Sequence, residues 1–318
     1  MTARDIPFAI QRAAQSQRGL IAAYQCKELG LSSDRRTGLV RRGQWTRVVR
    51  GVYDTTPGHV DPEINPSGWR RRSAWLALLA YGPETIAVGA CALVLHGVWG
   101  LPIDLRPEAA LPRGHDARPH GKIRLRRFDN GMTTTTINGH RVATLDYALA
   151  QAIPEMTRES AVAVLDSALY LGLITEADLP RVRRLLRGRR GSRRTHEWWS
   201  LVDSRAASPI ETRARLIFID AGLPPDTLQL PMIGQDGRVV GYGDLAWQRA
   251  DGSWIVVEMD GHEYHTAPQA LFRDRARQNK VVAGGRVRTV HYTGSDLWRP
   301  EDMVEEVRRL VYAPAMAA

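Results

Sequence analysis

Acidic side chains at the ends of two strand-like segments, with a histidine close behind them, suggest metal-dependent chemistry in the C-terminal third of the chain. Asp244 follows two glycines, and Glu258 and Asp260 come directly after the apolar run 254–257. Carboxylates at the ends of neighbouring strands can share a divalent cation, and a histidine such as His265 can then take a proton from water. The alternative is that Asp-Gly pairs mark turns and that strand-end acids are only solvated.

The order of the elements around these residues carries a family resemblance. A helix start at 208–213 contains Glu211, a strand at 243–247 contains Asp244, and the segment 257–261 is followed by His265 and the charged run 273–277. This order resembles the very-short-patch-repair (Vsr-like) branch of the PD-(D/E)xK nuclease superfamily. The resemblance covers about residues 200–315.

The resemblance implies a restriction-endonuclease-like α/β domain with a mixed sheet at residues 191–318. It implies a Mg²⁺ or Mn²⁺ ion on Asp244 and Glu258, a supporting acid at Glu211, a histidine base at His265, and Asp260 as a further member of the site. It also implies DNA-backbone contacts from Arg273 and Arg277, for which helix-surface pairing with Asp274 is the alternative. DNA rather than RNA as the cleaved strand follows from the resemblance alone.

One position departs from the superfamily pattern. A lysine usually stands two residues after the third-motif acid, and here that place is Asp260. The chain has only three lysines: Lys27, Lys122 and Lys280. Three explanations stay open: His265 takes over proton transfer, Lys280 reaches in from the following helix, or the site is degenerate and binds DNA without cutting it.

The composition favours a polyanionic partner. The chain has 318 residues, enough for two or three domains with their own cores, and a formal net charge of +10. Excess positive charge is typical of nucleic-acid-binding proteins. However, all but three of the 44 basic residues are arginine, which the codon usage of a GC-rich genome would also produce. The distribution of the arginines is therefore more informative than their number.

Residues 1–60 are predicted to form a winged-helix DNA-binding domain. Apolar spacing predicts a first helix around Phe8 and a second over 20–29, and Ser32 to Asp34 offers the N-cap of a third that runs to Arg42. Two short strands after Gly43 would form the wing. In such folds the second helix of the helix-turn-helix pair enters the major groove of double-stranded DNA.

The segment 39–53 strongly resembles the N-terminal domain of AbiEi-type antitoxins, the transcriptional autoregulators of abortive-infection systems, in its Gly-x-Trp and Gly-Val-Tyr ending. By that analogy two sets of DNA contacts are expected. Arg35, Arg36 and Thr37 would reach bases, and Arg41, Arg42, Arg47 and Arg50 would hold phosphates. Trp45, Val48 and Tyr53 are instead expected in the core of the wing.

Residues 61–190 are predicted to form an antitoxin-like α+β middle domain, with helices packed against a small sheet. Helical spacing recurs over 69–81, 86–98 and 158–171, while 121–142 favours strands. Eight arginines lie within 181–194, in what we interpret as a helix end followed by a linker. This second cluster either contacts nucleic acid or forms a solvated surface. The whole chain is thus predicted to be an α/β multidomain protein.

The sequence predicts a cytoplasmic protein without a membrane anchor. Cys26 and Cys91 are too few for a disulfide framework, and the N-terminal residues lack an apolar signal core. The most apolar run, 85–101, is short for a membrane span and contains glycines.

Three functions from different classes remain open on these grounds. The first is a DNA endonuclease or nickase, acting in defence or repair and targeted by the winged helix. The second is an antitoxin-like transcriptional regulator, with a catalytically degenerate nuclease fold and a cognate toxin protein as its partner. The third is an interaction protein that does not bind DNA.

Overall fold

A computed structural model describes residues 6–58, 65–112, 120–127, 131–234, 237–261 and 287–313 of the chain. Helices and three sheets alternate through these ranges, and two of the sheets mix parallel and antiparallel strands. The predicted α/β class is therefore confirmed. Packing divides the chain into two compact units, Met1–Met156 with Ala177–Thr195 and Thr157–Glu176 with His196–Ala318.

The N-terminal part of the first unit consists of short helices and a small antiparallel sheet. Its elements are α1 Phe8–Ser16, β1 Leu20–Ala22, α2 Ala23–Glu28, α3 Ser33–Arg41, β2 Thr46–Val49 and β3 Val52–Asp54, and the strand order is β1-β3-β2. The Ser32 hydroxyl caps α3 by accepting from the Arg35 N–H. Gly51, at φ +78°, makes the tight connection between β2 and β3.

The predicted helix over 20–29 is wrong in its first turn. Leu20, Ile21 and Ala22 are fully buried and form strand β1, which pairs with β3. An apolar run of three residues suits a buried strand as well as a helix, and the partner strand decides which forms. Trp45 is buried in the core, as expected, whereas Val48 is 38% exposed.

The rest of the first unit is a mixed sheet covered by helices. The elements are α4 Pro66–Ala80, β4 Ile86–Ala87, α5 Gly89–Leu95, β5 Glu108–Ala110, β6 Arg124–Arg126, β7 Thr134–Ile137, β8 His140–Ala143, α6 Leu145–Ala152 and, after α7 at Arg158–Tyr170, α8 Leu179–Leu186. The strand order is β6-β5-β4-β8-β7. Asn65 caps α4 by accepting from the Gly68 N–H at 2.7 Å, and Pro66 opens the helix.

The second unit contains a mixed four-stranded sheet with helices packed on it. Its remaining elements are α9 Pro209–Asp220, β9 Thr227–Ile233, β10 Val239–Gln248, β11 Trp254–Asp260, β12 Val287–Thr293 and α10 Pro300–Tyr312. The strand order is β12-β11-β10-β9, with β12 parallel to β11 and the other pairs antiparallel. Phe218 of α9 packs edge-on against Trp247 of β10 in the core.

Helix α7 belongs to this second unit, although its sequence position had suggested the middle domain. A buried ion pair joins it to α9, with 2.8 Å between the Arg215 Nη2 and Asp166 Oδ2 atoms. The Thr212 hydroxyl and the Asp203 N–H also donate to Asp166, each at 2.8 Å. Burial raises the pKa of the Asp166 carboxyl to about 6 despite these donors. The predicted domain boundaries at 60/61 and 190/191 stay predictions.

Within the ranges that the structure describes, no helix combines the length and the apolar character needed to cross a membrane. Both cysteines are free thiols and buried.

Candidate functional site

Helix α9 places Glu211 at the edge of the sheet. Ser208 caps the helix by accepting from the Glu211 N–H at 3.3 Å, and Pro209 fixes the first helical position. The Glu211 side chain is buried, and its Oε2 atom accepts from the Ala207 N–H at 2.9 Å. Glu211 therefore also fixes the chain just before the helix, with Ala207 rather than the N-cap Ser208 as its backbone donor.

The environment of Glu211 is that of a buried acid beside another acid. Burial raises the pKa of its carboxyl, the nearby Glu258 charge adds to the shift, and hydrogen bonds with Ser208, Ala207 and Gln229 oppose it. An electrostatic interaction of this kind requires Glu258 to lie near Glu211 in space, 47 residues apart in sequence. The structure therefore brings two of the predicted site residues together.

Asp244 and Glu258 occupy opposed positions on neighbouring strands. Each lies one residue beyond the antiparallel pair Leu245 and Val257. Continuing this register sets the two residues opposite each other, and strand alternation puts their side chains on the same face of the sheet. Asp244 is fixed further by its Oδ2 atom, which accepts from the Met259 N–H at 2.8 Å.

The close packing of β10 on β11 at this point requires a glycine. A Cβ atom on Gly243 would lie only 2.4 Å from Cγ1 of Val256. Such an overlap would push the strand away from its neighbour and displace Asp244, the next residue.

Gln229 on β9 connects two of the acids, and the sequence did not predict it. Its amide Nε2 donates to Oε2 of Glu211 at 2.9 Å and lies 3.4 Å from Oδ1 of Asp244. Its backbone has φ +53°, a left-handed conformation that a residue other than glycine seldom adopts. Strain of this kind costs about 1–3 kcal/mol and clusters at functional sites. The alternating pattern Leu228-Gln229-Leu230 indicates only which face Gln229 occupies, and nothing in it signals the positive φ.

Asp260 lies at the exposed end of β11, two residues beyond Glu258. Its carboxylate is 3.8 Å from Nδ1 of His291, and its side chain is 55% exposed. His291 is on the parallel strand β12, in register with Glu258. The sequence did not predict His291 as a site residue either, because its position depends on a strand pairing that no local pattern specifies.

Four residues of the predicted site region lie outside the described residues. They are His265, Arg273, Arg277 and Lys280. Their predicted roles as base and as DNA contacts stay predictions.

The donor set fits a hard divalent cation. Asp244 and Glu258 offer oxygen ligands from opposed strand positions, and Mg²⁺ commonly takes one or two protein carboxylates while keeping several waters. Among the described residues, no group of three or more His, Cys, Asp and Glu side chains is arranged to hold a metal ion. Glu211 is accordingly better placed as a supporting acid than as a third ligand.

The N-terminal part of the chain presents a basic surface on α3 and the β2–β3 hairpin. The exposed members of the predicted DNA contacts are Arg35, Thr37, Arg41, Arg42, Arg47 and Arg50. Arg36 is different: it is half-buried, its guanidinium lies 5.3 Å from the centre of the Tyr53 ring, and its Nη2 donates to Ser33. Arg36 therefore packs against the hairpin in this structure, and base contact would require it to leave that ring.

No protein-family model matches the chain. It is similar to two proteins of Mycobacterium tuberculosis strains, "Uncharacterized protein MT2308" and "Uncharacterized protein Rv2248". Each is 29% identical over 155 residues, which is 48% of this chain and 54% of the relative. The chain thus spans about half the length of the curated relatives it matches.

Proposed function

We propose that this protein is a metal-dependent DNA endonuclease or nickase directed to duplex DNA by an N-terminal winged helix. The observation that carries the proposal is the meeting of Glu211 and Asp244 at the amide of Gln229, with Glu258 near enough to Glu211 for its charge to act on it. Three acids from separate elements, two of them joined by a strained residue, suit a catalytic centre better than a solvated strand end.

The order of the sheet supports a restriction-endonuclease-like domain in the second unit. Helix α9 precedes three antiparallel strands, and a fourth strand, β12, runs parallel to the third. Glu211 is on that helix, Asp244 on the second strand and Glu258 on the third. This order of acid-bearing elements supports the proposal of a nuclease-like domain.

In the proposed mechanism, Asp244 and Glu258 would hold Mg²⁺ or Mn²⁺. The ion would supply charge stabilisation at the scissile phosphate and lower the pKa of a bound water. Gln229 fixes the orientation of Asp244 and Glu211 through its amide N–H groups. His265 takes a proton from the attacking water as the P–O bond to the leaving strand end breaks.

The N-terminal module would hold the substrate. Arg35 and Thr37, exposed near the start of α3, would read base edges in the major groove. Arg41 and Arg42 at the end of α3, with Arg47 on the hairpin, would bind phosphates. The first set gives sequence preference, and the second gives most of the salt-dependent affinity.

An antitoxin-like regulator is the second candidate, and Asp260 favours it. Nucleases of this type usually have a lysine at this position, and here it is an exposed carboxylate. The basic side chain next to Asp260 is His291, not a lysine or an arginine. In this case the second unit would bind DNA or dock a cognate toxin without cleaving. A neighbouring gene for a nucleotidyltransferase-like toxin would support this candidate.

Plasmid cleavage separates the two functions. Supercoiled DNA is incubated with the full chain and Mg²⁺ or Mn²⁺, alongside Asp244→Ala and the control Asp302→Ala, which removes an exposed carboxylate from α10. We expect nicked or linear product from the wild type and the control and none from Asp244→Ala. Equal product from Asp244→Ala, or no product from any protein while DNA binding persists, would reject the nuclease.

A further inference from the structure

The arginine-rich segment 181–194 is part of a defined surface, not a flexible linker. Helix α8 buries Val182 and Leu186 in the first unit, while Arg184 and Arg187 beside them are exposed. Gly191, at φ +88°, lies so close to Pro154 that an added Cβ would sit 2.4 Å from its carbonyl oxygen. The turn after the helix therefore packs tightly on the protein.

Three arginines of this segment have structural roles. Arg181 pairs with Asp146 at 2.7 Å, and the Arg189 Nε donates to the Leu185 carbonyl of the last helical turn. The Arg194 guanidinium donates to two backbone carbonyls, those of Pro154 and Met156, at 2.8 and 2.7 Å. These contacts fix the backbone from which four further arginines project.

Four other arginines have no such role among the described residues. Arg184, Arg187, Arg190 and Arg193 are exposed or at the surface, and none of them forms an ion pair within the described ranges. Four positive charges within ten residues of chain repel one another, and solvent ions must screen them. Binding of a polyanion to such a cluster is favourable, because the polyanion replaces and releases the screening ions.

We infer that Arg184, Arg187, Arg190 and Arg193 form a second binding surface for the phosphate backbone of duplex DNA. Guanidinium groups match phosphate oxygens in bidentate geometry, and a rigid backbone lowers the entropy lost on binding. The surface belongs to the same compact unit as α3 and the hairpin. It would add affinity without sequence preference, and it goes beyond the proposed function because it requires neither cleavage nor base reading.

The salt dependence of binding tests the inference. The full-length quadruple variant R184Q/R187Q/R190Q/R193Q is compared with R71Q/R127Q/R299Q/R309Q, which removes the same charge from exposed arginines elsewhere. Binding to duplex DNA several turns long is measured in EDTA at a series of salt concentrations, so that nuclease activity plays no part. Each lost phosphate contact lowers the slope of log K against log salt by about 0.9, so the first variant should lose about 3–4 in slope.

The control variant should change the slope by less than about 1. Melting curves check that both proteins fold; if the quadruple variant does not, R187Q/R190Q replaces it, with an expected loss of about 2 in slope. Equal slopes and affinities for the surface and control variants would overturn the inference. The inference would also be overturned if the quadruple variant bound DNA as the wild type does but no longer bound an acidic protein partner. Because no cleavage is measured, failure here leaves the nuclease proposal intact, and failure of cleavage leaves this surface intact.

Discussion

Replacing Gln229 by glutamate should exchange the amide donor at the acidic site for a carboxylate, in addition to those of Glu211, Asp244 and Glu258. In the wild type the amide Nε2 donates to Glu211 and lies near Asp244. Glutamate has almost the same shape but no N–H, so Gln229→Glu leaves the buried Glu211 without that donor and adds a like charge beside it. The fold should survive, with a lower free energy of unfolding.

The size of the loss follows from the two contacts. A hydrogen bond to a charged group contributes about 1.5–3 kcal/mol, and only the 2.9 Å contact to Glu211 is short enough to count fully. Two like charges 4 Å apart repel by about 4 kcal/mol at an effective dielectric of 20, an upper figure because the new side chain can rotate away. We therefore expect Gln229→Glu to lower the free energy of unfolding by about 2–4 kcal/mol near pH 8.

Denaturant unfolding followed by circular dichroism measures this loss, with Gln15→Glu, an exposed glutamine of α1, as the matched control. The repulsion raises the folded-state pKa of the new acid above its unfolded value of about 4.3, so the penalty is present at high pH and disappears as pH falls towards that value. Added Mg²⁺ should restore stability in Gln229→Glu, by about 2.7 kcal/mol at a hundred times its Kd. Stability equal to that of Gln15→Glu near pH 8 would refute the assigned role of Gln229.

Three further predictions concern the fold and the proposed base. Arg215→Met should lower the free energy of unfolding by about 3–5 kcal/mol, because Asp166 then stays buried without its partner. Burial raises the folded-state pKa of Asp166 to about 6, above about 3.9 in the unfolded chain, so the stability that Asp166 contributes is complete below the lower value and lost as pH rises through the higher. The double variant Asp166→Asn with Arg215→Met should flatten this pH dependence of stability in melting curves across that range. Gly243→Ala should cost about 1–3 kcal/mol and weaken any cleavage, as unfolding and plasmid assays would register; unchanged stability would contradict the close approach to β11. His265→Ala should lower any cleavage rate by about 10²–10⁴-fold, and the wild-type rate should rise with pH near ~6.5, whereas Lys280→Ala should have little effect; the reverse pattern in single-turnover assays would assign the base to the lysine.

The sequence was sufficient where a local signal decides the structure. The Ser32 cap and the glycine between β2 and β3 specify α3 and its hairpin, and both form as predicted. The helix of Glu211 and the strands of Asp244 and Glu258 also follow from local patterns.

Other features depend on tertiary contacts that no local pattern encodes. Strand β1 exists because β3 offers it a partner, and α7 joins the second unit because the buried Asp166 meets Arg215 there. The positive φ of Gln229 and the register of His291 with Glu258 likewise arise from pairing between distant segments. Sequence periodicity therefore could not predict the positions of His291 and Gln229.

Binding of Mn²⁺ to the full chain tests the central claim most directly, that Asp244 and Glu258 together hold a catalytic cation. Calorimetry is carried out with duplex DNA present and absent, on the wild type, Asp244→Asn and Glu258→Gln. Controls are Asp302→Asn and Glu301→Gln, which change exposed carboxylates on α10. We predict Mn²⁺ binding that either site substitution abolishes and neither control affects, with melting curves unchanged. Absence of Mn²⁺ binding to the wild type even with DNA, or binding that survives both site substitutions, would contradict the account.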